Sequence, residues 1–147
     1  APRSLADELL TPSVVYAPAV LAALRACPTA VHACAHVTGG GIPGNLSRVL
    51  PQDVDAVVDR RTWDTPRIFG EIARLGEVTD PEMTRVFNLG LGMILAVASE
   101  TVDSVLAALD SAGSGGEGGG EVGHSSAGVP PPVVVGEVVA GTGSVRL

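Results

Sequence analysis

Apolar and polar residues alternate along one short stretch: Val31, Ala33, Ala35 and Val37 are interleaved with His32, Cys34 and His36. That period of two predicts a strand. A second strand is predicted over Val54–Val58, bounded by Asp53 and Asp59, and the apolar run Leu91–Ala98 predicts a third, of the fully buried type. Val133–Ala140 reads as strand, and Val145–Leu147 as the start of another. Other segments follow a helical period. Ile68, Phe69, Ile72 and Leu75 form one stripe within Pro66–Leu75, with Gly76 at its end; Val102, Val105, Leu106 and Leu109 form a second, behind Ser99 as a cap. Thr79-Asp80-Pro81-Glu82 is a helix start: a capping side chain, a proline near the first position, and acid in the first turn. Tyr16–Ala26 is Ala- and Leu-rich and is predicted helical, with Pro18 in its first turn. A short amphipathic turn or helix is expected at Ser4–Leu10, stopped near Thr11-Pro12, and a short helix at Gly44–Val49, closed by Pro51. Strands and helices are interleaved, which makes the class a mixed α and β layer structure.

Composition narrows the picture. The 147 residues are 46% hydrophobic but only 3% aromatic, so Ala and Val must fill the core. That length suits one domain. The tract Gly113–Gly123, continued by 124–132, has no apolar period and is expected to be a flexible insertion in that domain. All nine cations are Arg, and the net charge of −7 argues against a nucleic-acid binder. No apolar run approaches the ~18 residues of a membrane span. Cys27 and Cys34 lack a Cys-x-x-Cys spacing, which points to a reduced, cytoplasmic setting. The chain begins at Ala1 without an initiator Met, so either a processed protein or, preferred, a piece of something longer is expected.

Candidate chemistry gathers at two glycine clusters. In His36-Val37-Thr38-Gly39-Gly40-Gly41 a glycine run joins a strand to a short helix. Such a turn either lets backbone N–H groups approach an anion, with Thr38, Asn45 and Arg48 nearby, or simply needs positive φ and binds nothing. The second cluster is Phe87-Asn88-Leu89-Gly90-Leu91-Gly92-Met93, where Asn88 is the polar group. It could shape a ligand wall or make room for a neighbouring backbone. His32, Cys34 and His36 share one strand face, a formal zinc pattern with only three ligands, and no metal site is expected there. Asp53, Asp55, Asp59 and Asp64 read as solvating groups at the ends of one strand, and Trp63 as a core or interface anchor.

These motifs are familiar in combination. His36-Val37-Thr38-Gly39-Gly40-Gly41 followed by Asn45-Leu46-Ser47-Arg48-Val49-Leu50-Pro51 resembles the C-terminal half of phosphoribosylformylglycinamidine cyclo-ligase, the aminoimidazole ribonucleotide (AIR) synthetase family. The likeness continues through Asp59-Arg60, Trp63, Pro66, Ile68-Phe69, Ile72, Gly76, Glu82-Met83, Arg85 and Phe87-Asn88 to Gly90, Gly92 and Met93. It reaches back to Leu10-Thr11-Pro12 and Tyr16, and forward to Gly136-Glu137-Val138-Val139 and Val145-Arg146-Leu147.

The resemblance implies an α+β domain, a three-layer α/β/α unit with a mixed sheet. It implies an ATP- and Mg²⁺-dependent ligase of purine biosynthesis that closes the imidazole ring of formylglycinamidine ribonucleotide. It further implies a homodimer whose ATP is handled by a separate N-terminal domain, so that no cofactor is held tightly by this chain and the chain alone is inactive. By the same carry-over His36 and Thr38 face the cleft, with His36 a candidate for proton transfer. Gly39, Gly40 and Gly41, with Asn45, Arg48, Asn88 and Gly90, border substrate or phosphate. Val14 and Pro18 stand where relatives carry an Arg and a Lys around the Tyr. Two other readings are a related ATP-using synthetase or maturation protein of the same superfamily, and a non-catalytic interaction domain.

Overall fold

The computed structural model describes residues 4–114 and 130–147. The elements run α1 (Leu5–Leu9), α2 (Ala17–Ala26), β1 (Val31–His36), α3 (Gly41–Leu46), β2 (Val54–Val58), α4 (Arg67–Gly76), α5 (Asp80–Val86), β3 (Met93–Val97), α6 (Val102–Ser114), β4 (Gly136–Ala140) and β5 (Val145–Arg146). Strands β1 and β3 pair, while β2 lies between β4 and β5. The class is α+β with a mixed sheet, because β2 is antiparallel to β4 (Val54 opposite Ala140, Val58 opposite Gly136) and parallel to β5 (Ala56 opposite Val145).

Contacts divide the chain into two compact units, Ala1–His32 with Val97–Pro132, and Ala33–Ala96 with Val133–Leu147. In the first, α1 is started by a reciprocal cap: Asp7 N–H donates to Ser4 Oγ at 3.2 Å, and Ser4 N–H donates to Asp7 Oδ2 at 3.1 Å. Helix α2 packs on α6 through small buried side chains, Ala19 and Ala23 on one and Val105 on the other. Small residues there let two helix backbones approach closely.

The second unit holds the larger core. Ala35 from β1, Val37 just past it, Ile42 and Leu46 from α3, Ala56 and Val58 from β2, and Ile94 from β3 form one buried cluster, edged by Leu50, Trp63, Leu91, Val135 and Val145. The alternation seen in β1 is thus resolved into faces: Ala35 is buried, while His32, Cys34 and His36 are exposed.

Several expectations are corrected. Helix α3 begins at Gly41 rather than Gly44, because Gly40 adopts φ 98° and serves as its N-cap. Strand β3 is half-buried apart from Ile94, so it is not the fully buried strand its apolar run suggested. Neither Thr79 nor Ser99 caps by its side chain: Thr79 occupies the N-cap of α5 without a side-chain bond, and Ser99 opens a single 3₁₀ turn ahead of α6, its hydroxyl donating to Glu100. The left-handed residue ending α4 is Glu77 (φ 51°), with Gly76 still helical. Gly113 and Ser114 belong to the last turn of α6 rather than to the glycine tract. The rest of the expected insertion, 115–129, lies outside the described residues.

Candidate functional site

Both glycine clusters lie in the second unit, and the fold brings them together. Val37 N–H, just past β1, donates to Gly92 C=O, just before β3, at 2.9 Å. The first turn thus leaves the strand pair where the second enters it.

The first turn is shaped by two glycines with different needs. Gly40 has φ 98°, and a Cβ there would meet only Asn45 Nδ2 at 3.8 Å; its requirement is conformational. Gly41 has φ 62°, and a Cβ would collide with the Thr84 carbonyl of α5; its requirement is also spatial. Thr84 is in turn held by Arg60, whose Nη1 donates to Thr84 Oγ1 at 3.2 Å and to both Asp80 carboxylate oxygens at 2.9 Å. Gly39 has nothing within 4 Å of its Cβ position.

Asn45 fixes the turn from inside. It is only 6% exposed, and its Nδ2 donates to Gly41 O at 2.8 Å and to Thr38 O and Gly39 O at 3.3 Å each. Its amide nitrogen therefore faces three backbone carbonyls. Thr38, Gly39, Gly40 and Arg48 are exposed around it, and His36 ends β1 on the exposed side.

The second turn is built around Leu89, which is 2% exposed yet left-handed at φ 51°. Gly90 follows at φ 102°, and a Cβ there would come within 2.6 Å of Pro66 Cδ. Three hydrogen bonds hold this uncommon pair: Gly90 N–H to Asn88 Oδ1 at 3.1 Å, Leu91 N–H to Asn88 O at 3.0 Å, and Trp63 Nε1–H to Leu89 O at 3.0 Å. Phe87, just before this turn in the chain, meets Phe69 of α4 edge to face at a centroid separation of 5.8 Å.

Two sequence readings change here. Asp55 is not a solvating strand-end group. It sits inside β2, 9% exposed, and its Oδ1 accepts from Thr142 N–H at 2.8 Å and Ser144 N–H at 2.9 Å. Those backbone bonds, with the Arg146 guanidinium 3.3 Å from Oδ2, hold its carboxyl below the usual carboxylate range. A Cβ at Gly141 would overlap the Asp55 carboxyl, which explains that glycine. Asp55 thus fastens the β4–β5 connection; its one visible signal in the sequence is a carboxylate inside the run Val54–Val58. Asp59, by contrast, is lowered to about 2 by side-chain and backbone bonds to Arg61. The other missed group is the Trp63 N–H, whose donor role no spacing reveals.

His32, Cys34 and His36 are not disposed around a common point. Among the described residues no group of three or more His, Cys, Asp and Glu could share a metal ion. Desolvation pushes the Cys34 thiol up, the opposite of what an activated nucleophile needs.

The sequence matches the family described as AIR synthase related protein, C-terminal domain, over residues 2–129. The chain belongs to that family. Among AIR synthase relatives, the phosphoribosylformylglycinamidine cyclo-ligase of Myxococcus xanthus (strain DK1622) is 49% identical over 111 residues, 76% of this chain and 32% of the relative. That of Geotalea daltonii is 44% identical over 104 residues, 71% of this chain and 29% of the relative. That of Anaeromyxobacter dehalogenans (strain 2CP-1) is 46% identical over 111 residues, 76% of this chain and 32% of the relative. The chain thus spans about a third of the length of these AIR synthase relatives. Among the described residues no helix is long and apolar enough to cross a membrane.

Proposed function

We propose that this chain is the C-terminal domain of a cytoplasmic, homodimeric cyclo-ligase that uses ATP and Mg²⁺ to close the imidazole ring of formylglycinamidine ribonucleotide, giving aminoimidazole ribonucleotide. The observation carrying this reading is the convergence of two separate glycine turns, bonded through Val37 and Gly92, in a chain 42–49% identical to proteins named for that reaction. Neither turn alone specifies a ligand; together they make a rigid polar rim of backbone and small side chains.

In this reading Thr38, Gly39, Gly40 and Gly41, with Arg48, border the ribonucleotide or its phosphate. Asn88 and Gly90 form the opposite rim, and Asn45 keeps the first turn in shape. His36 stands at the strand end as the candidate proton-transfer group. When bound, ATP supplies the phosphoryl group that activates the formyl oxygen for departure. We assign ATP and Mg²⁺ to a separate N-terminal domain, which is this domain's partner. The chain has no lysine for a triphosphate, and its described carboxylates form no group suited to a metal. The 147 residues then form one C-terminal domain carrying a glycine-rich insertion that follows α6, at about 115–132.

The test compares this chain with the full-length enzyme in an assay of ATP hydrolysis dependent on formylglycinamidine ribonucleotide. The expected outcome is turnover by the full-length protein and none by the chain alone. His36→Ala should lower that turnover. Substrate-dependent hydrolysis by the chain alone would refute the division of labour, and a full-length protein inert toward this ribonucleotide would refute the function.

A further inference from the structure

The second glycine turn contains a conformation that its own residues do not favour. Leu89 is a buried, bulky residue at φ 51°, and Gly90 follows at φ 102°. A non-glycine residue in the left-handed region persists only where its surroundings over-determine it, and such outliers gather at functional sites. The local bonds from Asn88 span the turn, but they arise within the same few residues and move with it. The bond from outside is the indole N–H of Trp63, which reaches across from the segment before α4 to the Leu89 carbonyl at 3.0 Å. Trp63 is also packed against the main core, so its ring is a fixed post. Pro66, a few residues on, occupies the space a Cβ at Gly90 would need, its Cδ 2.6 Å from that position.

We propose that Trp63 is a positioning residue for the reaction, acting through Leu89: its indole N–H pins the Leu89 carbonyl and so holds Asn88 and Gly90 in the left-handed turn that faces ligand. This rests on the function proposed above, in which Asn88 and Gly90 border the ribonucleotide. Tryptophan suits the task because it joins a large apolar body, which the core retains, to a single donor that has no alternative acceptor role. Without that donor the Leu89 carbonyl loses its external partner, and the turn relaxes toward conformations better suited to leucine. Ligand must then re-order the turn on binding, and the cost appears in affinity rather than in the chemical step.

The experiment replaces Trp63 in the full-length enzyme with its benzothienyl isostere, which keeps the bicyclic shape and puts sulfur in place of N–H. Trp63→Phe, which also removes ring volume, is measured beside it. The expected result for the isostere is a rise of up to about tenfold in KM for the ribonucleotide with kcat within twofold, since the net worth of one lost hydrogen bond is at most about one decade of affinity. The KM for ATP should not change. Trp63→Phe should show the same split on top of a lower Tm. An isostere with wild-type KM overturns the inference, even if Tm falls, because the bond would then be structural alone. An equal loss of kcat with KM unchanged also overturns it. A wild-type enzyme inert toward the ribonucleotide refutes the proposed function instead, so the two failures are distinguishable.

Discussion

Val37 donates its backbone N–H to the Gly92 carbonyl at 2.9 Å, and this bond joins two glycine turns that lie far apart in the chain. Asn45 holds the first turn, and Trp63, from outside, joins Asn88 in holding the second. Both turns are therefore tied down by hydrogen bonds, and their glycines should differ sharply in their tolerance of substitution.

Gly41→Ala places a methyl group against the Thr84 carbonyl at a backbone angle of φ 62°. Overpacking and left-handed strain act together, so a loss of about 2–5 kcal/mol is expected by denaturant unfolding. Gly39→Ala meets nothing within 4 Å and should stay within about 0.5 kcal/mol of wild type. Equal effects at the two positions would show that the carbonyl of Thr84 does not set the constraint.

Asn45→Ala removes the buried amide that bonds Thr38, Gly39 and Gly41. The expected cost is about 1–3 kcal/mol, since a buried Gly41 carbonyl loses its partner. Hydrogen exchange should show faster exchange at Gly41 and Gly44, whose N–H groups bond within the same turn. Unchanged exchange there would mean that the turn holds itself.

Asp55 predicts a pH dependence. Its carboxyl is held below the ordinary value of 3.8, first by the Thr142 and Ser144 N–H groups and further by Arg146. A lowered folded pKa means that the unfolded chain takes up the proton first on acidification. The stabilisation is thus complete above the unfolded value and is lost as pH falls from there through the folded value. Asp59, lowered to about 2, and Glu71, Glu82 and Glu100, also lowered, act with the same sign. Tm should therefore fall from about pH 4 downward in wild type, and less steeply in Asp55→Asn. Parallel Tm–pH curves for the two proteins would remove Asp55 from the account.

Glu77→Gly should stabilise. Glu77 ends α4 at φ 51°, where glycine carries no Cβ penalty. The relieved strain of about 1–2 kcal/mol exceeds the added unfolded-state entropy of about 0.5–1 kcal/mol, leaving a gain of about 0.5–1 kcal/mol by chemical denaturation. A loss of stability would show that the Glu77 side chain contributes more than its backbone costs.

The sequence by itself determined the order of elements, because period two and period 3.6 are local properties that each segment carries alone. Val54–Val58 is a strand as its pattern predicts, and Tyr16–Ala26 and Pro66–Leu75 differ from the observed helices by a residue at their ends. It also determined the family, through a long run of residue identities from His36 to Met93 that no periodicity explains. Tertiary structure decided what the glycines and polar groups are for. That Gly41 abuts Thr84, that Trp63 reaches Leu89, and that Asp55 fastens Thr142 and Ser144 are contacts between segments distant in the chain. The start of α3 shows the same limit. A run of three glycines has no side chain to mark a phase, and the register is set by Asn45 bonding back to their carbonyls and by the space that α5 leaves. Local pattern fixes what a segment prefers; only packing selects which of its backbone groups are held, and by what.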